Sequence, residues 1–453
     1  MGCGRVRLIQ LAGFASALLA LPTLAFADPE SAVPAAPPDP APQTWAIHVQ
    51  STFVAQANAG FRAPFQGPNS LASDANGRET WDVTLYLGYR PWAGAELWID
   101  PELDQGFGLS NTLGVAGFPS GEAYKVGAVS PYPKLPRVFL RQTIDLGGEV
   151  QSVDPDLNQL GGSRTSDRVV LTVGKFSVTD IFDTNQYAHD PRGDFLNWSL
   201  IDAGTFDYAA NAWGFTYGAA AELYEGHFAL RGGVFDLSVV PNDVTLDPSV
   251  RQFQLVGEIE EDLDVAGQPG AVKLTGFLSR GRMGSFADAI ALSEATGQPA
   301  SVALVRQYRS RPGLSLDVQQ QLADGLGAFL RAGLADGNVE PYEFADIDDT
   351  ASGGLALSGK RWGRPDDTYA IAAVVNQISR IHQAYLADGG LGILVGDGRL
   401  PHPGPEEIIE TYYEIAALKG LKISLDYQYV ANPAYNRDRG PVSIGAVRFH
   451  TEF

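Results

Sequence analysis

A chain of 453 residues with a formal net charge of −21, carrying 53 acids against 32 lysines and arginines, cannot present the basic face that a nucleic-acid backbone requires. Its single cysteine, Cys3, precedes the first apolar run, so the rest of the chain has no thiol for a disulfide, a metal or a nucleophile. Beyond residue 27 no apolar stretch reaches the ~18 residues of a membrane helix, which excludes a helical membrane domain but not a sheet.

In chain order, Arg5 and Arg7 form a basic start, Leu8 to Leu24 is mostly apolar, and Ala25-Phe26-Ala27 is a small-x-small cleavage site. Residues 1–27 therefore read as a secretory signal peptide of a bacterial export route. Residues 28–44 (DPESAVPAAPPDPAPQT) are a Pro/Ala-rich tract, poor in ladder donors, which reads as a periplasmic leader. From residue 45 to 453 no second linker interrupts the chain, so this span reads as one domain.

Period-two alternation runs through that domain. Trp81, Val83, Leu85, Leu87 and Tyr89 face one way, while Thr80, Asp82, Thr84 and Tyr86 face the other. Leu421, Ile423, Leu425, Tyr427 and Tyr429 oppose Lys422, Ser424, Asp426 and Gln428 in the same manner. Such segments begin near Trp45, Glu79, Gly94, Val138, Arg168, Trp213, His227, Arg251, Gly270, Gly313, Leu326, Thr350, Thr368, Glu407, Leu421 and Val442. Each is ~10 residues, enough to cross a bilayer's hydrocarbon at a steep tilt, and the even number suits a bacterial barrel. The links alternate as well. Pro91-Trp92-Ala93, Glu225-Gly226, Asp324-Gly325 and Lys419-Gly420 are short, whereas Asn58 to Arg78, Gln105 to Arg137, Thr179 to Ala212, Arg282 to Pro312 and Ser379 to Pro405 are long. Gln151 to Asp167 breaks the rule, being long where a short turn is expected.

These features predict an all-β fold: a transmembrane antiparallel β-barrel of about 16 strands, with long outer loops and a water-filled lumen. Its place is the bacterial outer membrane, in contact with lipid. The last strand, Val447-Phe449-Thr451-Phe453, has the ending that exported barrels offer to the barrel-assembly machinery. Monomer and trimer are both open.

The stretch FDTNQYAHDPRGDFLNW, Phe182 to Trp198, mixes aromatics with acids and arginine and has no regular period. A loop folded into the lumen meets both environments, wall on one side and water on the other, which predicts an inward constriction loop. Phe182, Tyr187, Phe195 and Trp198 serve as anchors or stacking faces, and Asp183, Asn185, Asp190, Arg192 and Asn197 as hydrogen-bonding groups. Small sugars, with hydroxyls around an apolar C–H face, suit that combination. The same polar groups would also serve to pin the loop to itself. By alternation Glu96, Asp100, Arg141, Glu222, Arg231, Glu258, Asp317, Arg331, Glu410, Glu414, Asp426 and Arg448 point into the lumen, because a charge facing lipid costs ~2–4 kcal/mol near the midplane. Arg141, Arg231 and Arg192 are the preferred sugar contacts, with Glu222 and Trp198 beside them; the excess of acids favours cations in the pore. Trp81, Trp213, Tyr217, Tyr427 and Tyr429 read as interface girdle.

No enzyme signature survives inspection. GLALSGKR (Gly354 to Arg361) has phosphate-loop spacing only through Lys360, and its alternation is that of a strand. GGLGILVGDG (Gly389 to Gly398) lacks the third glycine of a dinucleotide loop. Asp348-Asp349, Asp366-Asp367 and Glu406-Glu407 read as solvated charge rather than a glycosidase pair. Scattered histidines make no metal site, calcium on loop acids stays open although no D-x-D/N-x-D/N-G loop is present, and no cofactor is expected. Phe286 to Ala295 is helix-like, within a long outer loop.

Residues Gly174 to Tyr224 (GKFSVTDIFDTNQYAHDPRGDFLNWSLIDAGTFDYAANAWGFTYGAAAELY), with RVFLRQTIDLGGE, NQISRIHQAYLADGG and the tail YQYVANPAYNRDRGPVSIGAVRFHTEF, resemble the carbohydrate-selective porins, the OprB-like family. The resemblance runs in order over most of residues 130 to 453, and residues 57 to 130 carry no recognised motif. It implies a sixteen-stranded outer-membrane channel passing monosaccharides such as glucose by diffusion. Two other readings stand beside it: a general, weakly cation-preferring diffusion pore, and an outer-membrane or secreted β-protein that binds or hydrolyses polysaccharide.

Overall fold

The computed structural model describes residues 42–453; the expected signal peptide and nearly all of the expected Pro/Ala leader lie outside the described residues. Sixteen strands run β1 Trp45–Asn58, β2 Asn76–Tyr89, β3 Ala95–Gly106, β4 Ala128–Val153, β5 Gly162–Phe176 and β6 Thr216–Glu225. They continue as β7 Phe228–Asp236, β8 Phe253–Val265, β9 Gln268–Met283, β10 Gln307–Ala323 and β11 Leu326–Ala335. The last are β12 Asp349–Ser358, β13 Thr368–Gln377, β14 Glu406–Leu418, β15 Leu421–Ala431 and β16 Val442–Glu452. Each strand pairs antiparallel with its sequence neighbours, and β1 pairs with β16, so the sheet closes. Closure leaves no edge, which a sheet in hydrocarbon requires. The seam is held to the last residue: Phe453 and Val49 exchange N–H···O bonds of 2.9 and 3.0 Å.

The two faces are sorted as alternation predicts. Ile47, Leu103, Val173, Leu230, Leu255, Leu274, Leu330, Ile371, Leu425 and Phe449 are exposed on the outside. Asp100, Glu222, Arg231, Glu258, Asp317, Arg331, Glu410, Glu414, Asp426 and Arg448 are buried on the inside, and Glu96 and Arg141 pair there at 3.5 Å.

All sixteen expected segments exist, and the differences lie at their ends. Strand β4 starts ten residues before Val138, in a stretch whose Pro131, Pro133 and Pro136 argue against a ladder; the pairing tolerates them by shifting register between Asp100 and Glu102. The long link expected from Gln151 to Asp167 is a correction. The β4–β5 hairpin continues past bulges at Gly147 and pairs Val153 with Gly162, leaving only residues 154–161 as the turn. Tight turns lie at the same end, such as Ala266-Gly267, where both residues take positive φ (57° and 77°) as a two-residue I′ hairpin demands. The expected helix is α2, Phe286–Thr296, after the short α1, Trp198–Ile201, and before α3, Arg380–Ala387. The Phe286 ring of α2 stacks on His382 of α3 at 4.1 Å.

Large rings inside the wall sit over glycines. Trp98 is fully buried across Gly88, where an added Cβ would lie 2.5–2.8 Å from the indole. Gly88→Ala is therefore expected to destabilise the barrel by about 1–3 kcal/mol, as overpacking does, read as a lower urea midpoint in lipid vesicles; an unchanged midpoint would show that Trp98 does not close on that glycine.

Candidate functional site

Long connections, all at one end, fold over and into the barrel. The deepest is residues 177–215, between β5 and β6, which crosses the lumen and is fastened to walls on several sides. Asp183 donates its N–H to Glu258 of β8 (2.8 Å), and Asn185 donates to Asp317 of β10 (2.7 Å). Arg331 of β11 donates to the carbonyls of Leu200 (2.7 Å) and Asp183 (3.1 Å). Arg448 of β16 donates to the Asp194 carbonyl at 2.8 Å.

A recurring device does the fastening: one buried carboxylate accepts two successive backbone N–H groups. Glu410 takes Leu196 and Asn197 (2.5 and 2.9 Å), and Glu406 takes Ala116 and Gly117 (3.0 and 2.8 Å). Asp207 takes Tyr342 and Glu343 (both 2.7 Å), and Asp346 takes Ile393 and Leu394 (3.2 and 2.6 Å). Loop amides have no ladder to join, and these acids satisfy them away from water. Glu406 and Asp348, expected as solvated charge, are thus buried anchors; Asp348 pairs with Arg311 at 3.3 Å and His382 at 3.1 Å. The signal missed was position: each lies at a strand's outer end, beside a long loop.

Three cavities among the described residues share lining residues in turn. An outer one of about 470 Å³ lies among the loops and is lined by Lys125, Phe286, Arg306, Glu340 and Tyr385. It adjoins, through Lys125, a middle cavity of about 190 Å³. That in turn adjoins, through Asp180 and His189, an inner cavity of about 650 Å³ at the short-turn end. The middle cavity is the smallest and has two kinds of wall. One is aromatic: Trp198 stacks on Phe118 (5.4 Å between centroids) and meets Phe344 edge-on, with Tyr208 behind. The other is charged: Arg137 forks onto Asp180 at 2.8 and 2.6 Å, and Arg192 stands 3.6–3.9 Å from Asp82, Glu102 and Glu122. Lys134 reinforces that wall from Glu102 (2.9 Å), Asp104 (2.8 Å) and the face of Tyr124 (3.7 Å). At His189, which lines both the middle and the inner cavity, burial disfavours the charged imidazole, but Asp202, 3.7 Å away, outweighs it and raises the pKa.

Of the residues singled out in the sequence, Asp190, Arg192 and Trp198 line the middle cavity, and Arg141 and Glu222 the inner one. Asp183, Asn185, Asn197 and Arg231 line neither. Their polar atoms are engaged with the wall: Asn197 donates to Gly117 (2.8 Å) and Gln428 (3.1 Å), and Arg231 is held by Glu258 (2.7 Å), Glu260 (2.5 Å) and Glu222 (3.3 Å). Trp213, expected in the girdle, is a correction. It lies before β6, lines the middle cavity and donates to Tyr132 at 3.3 Å, because the strand begins only at Thr216. Arg137, Lys134 and Asp180 were missed because the proline-bearing start of β4 and the short turn after β5 hid their register.

The model of the carbohydrate-selective porins, the OprB family, matches residues 68–453. The chain belongs to that family. The match reaches well back into the part of the chain that carried no recognised motif. This porin is similar to Pseudomonas putida OprB in its high-pH structure, with a TM-score of 0.68 at 15% identity, covering 90% of this chain and 94% of that one. The low-pH structure of the same protein gives a TM-score of 0.50 at 12% identity, covering 90% and 93%. At such identities the likeness speaks for the fold, a closed sixteen-stranded porin barrel. No curated protein sequence matches the chain. Family and fold make it a channel of a bacterial outer membrane rather than an enzyme, and imply passage of sugar through the barrel. Among the described residues no cluster of three or more acids or histidines could hold a metal ion.

Proposed function

We propose that this porin passes neutral monosaccharides such as glucose by passive diffusion, through the outer, middle and inner cavities in turn. The observation that carries the reading is the middle cavity, smaller than either neighbour and walled by aromatic planes on one side and by Arg137, Asp180, Asp190 and Arg192 on the other. A pyranose offers that space an apolar C–H face and a ring of hydroxyls, so one wall takes the stacking and the other the hydrogen bonds. Binding that is spread over several weak contacts permits entry and exit without a covalent step.

Proteoliposomes containing the purified protein should swell in isosmotic glucose, and much less in a trisaccharide of the same osmolarity. Arg192→Ala, which removes from the cavity wall the cation shared by Asp82, Glu102 and Glu122, should weaken block of the ion current by glucose. Equal swelling in both sugars, with no block, would favour a general cation-preferring pore. Hydrolysis products without any swelling would favour an enzyme.

A further inference from the structure

The inner cavity is lined by many charged residues, and most of them are spoken for. Glu96 is shared by Arg90 (3.7 Å) and Arg141 (3.5 Å), and Asp180 is held by Arg137. Glu222 accepts from Arg231 (3.3 Å) and Tyr224 (2.6 Å). Asp145 accepts from the backbone and hydroxyl of Thr165 at 3.0 and 3.2 Å, and Asp156 caps Leu157 at 2.8 Å. Two cations of the same lining are left over, Arg164 and Arg168, on the lumen side of β5. Among the described residues no carboxylate stands within 4.0 Å of either guanidinium, and the Nε of each is buried without a hydrogen-bond partner.

Arg168 is built rather than adrift. Its residue is only 8% exposed, its guanidinium lies 3.8 Å over the Tyr224 ring, and its Nη1 donates to the carbonyls of Thr165 (3.3 Å) and Ser166 (2.9 Å). These contacts fix the plane and occupy one nitrogen. Nη2 makes no protein hydrogen bond and, unlike the shielded Nε, is left to donate a charge-assisted hydrogen bond to a carboxylate oxygen.

We propose that Arg164 and Arg168 form a subsite for the carboxylate of an acidic monosaccharide, a uronate or aldonate, so that the pore admits anionic as well as neutral sugars. This deepens the monosaccharide reading and rests on it. In a lumen lined with acids an anion meets repulsion unless fixed positive charge offsets it. The unpaired arginines supply that charge at the short-turn end, after the middle cavity for a solute entering from the loop side.

Swelling rates of proteoliposomes in glucose and in sodium glucuronate test this with the whole protein. The wild-type rate in glucuronate should saturate with concentration. The Arg164→Gln/Arg168→Gln variant should lower the glucuronate-to-glucose ratio by about tenfold, as loss of a charge-assisted pair implies, while the glucose rate holds. A linear glucuronate rate, or a ratio unchanged in the variant, overturns the subsite and leaves the neutral-sugar reading standing. Exclusion of glucose with saturable passage of glucuronate overturns the neutral-sugar reading instead, and exclusion of both overturns the two together. Should the double variant lose the heat-modifiable barrel, Arg168→Lys, which keeps the charge and loses the guanidinium's directed N–H groups, and the wild-type saturation curve decide.

Discussion

Replacing Arg331 by alanine is expected to loosen the constriction loop and raise single-channel conductance severalfold while the barrel stays folded. Arg331 is fully buried in the wall of β11 and reaches the loop from below, pairing with Asp317 at 2.5 Å and standing 3.8 Å from Asp183. It also donates to the Leu200 and Asp183 carbonyls. Without it two buried carboxylates are left without their shared cation. Breaking a buried ion pair by removing one partner costs about 3–5 kcal/mol, and here the loop can escape the cost by lifting away. Asp183 is already strained for a non-glycine residue, with φ at +58°. Burial pushes its carboxyl up to about 7 even with Arg331 present, which lowers it, while Asp202 and Asp317 raise it further. The sign follows: a folded pKa above the ordinary carboxylate value favours the docked loop at low pH, and the advantage fades as pH rises towards 7. The conductance gain in Arg331→Ala should accordingly be small near pH 4 and grow towards neutrality. Current traces identical to wild type at pH 7.5 would show that this anchor does not hold the loop.

Placing a charge on the opposite face of the same strand should do the reverse, sparing the loop and harming the barrel. Leu330 is 63% exposed at the middle of β11, between Val318 of β10 and Gly353 of β12. If hydrocarbon touches this face, Leu330→Arg costs about 2–4 kcal/mol. The expected result is a marked fall in the fraction folded into lipid vesicles at intermediate urea, with little change in short-chain detergent micelles, which deform around a charge. An equal fraction folded in lipid would mean that water, not lipid, faces Leu330.

The difference between these two neighbours on one strand is readable in the sequence, since period two assigns Arg331 inward and Leu330 outward. Alternation is a local signal, and it carried the closed sheet, the sorted loops and every lumen-facing charge it assigned. It failed where local rules conflict. Prolines at 131, 133 and 136 hid the start of β4, and with it Lys134 and Arg137. The bulges at Gly147 disguised an extended hairpin as a loop. The candidate site was less legible because it is assembled across the barrel. Asp190, Arg192 and Trp198 sit in one stretch of sequence, yet the partners that decide which residues face open space, Glu102, Glu122 and Phe344 among them, come from other strands and loops. A lone acid such as Glu406 looks solvated in sequence, and only the fold shows two amides from residues 116 and 117 closing on it.

In the proposed route, solute passes from the middle cavity to the inner one beside Asp180 and His189, which line both. The most direct measurement is glucose swelling of proteoliposomes bearing His189→Cys on a Cys3→Ser background, before and after complete reaction with a bulky thiol reagent. Modification should nearly abolish swelling, and reduction of the adduct should restore it. Full swelling with every thiol modified would place the route elsewhere.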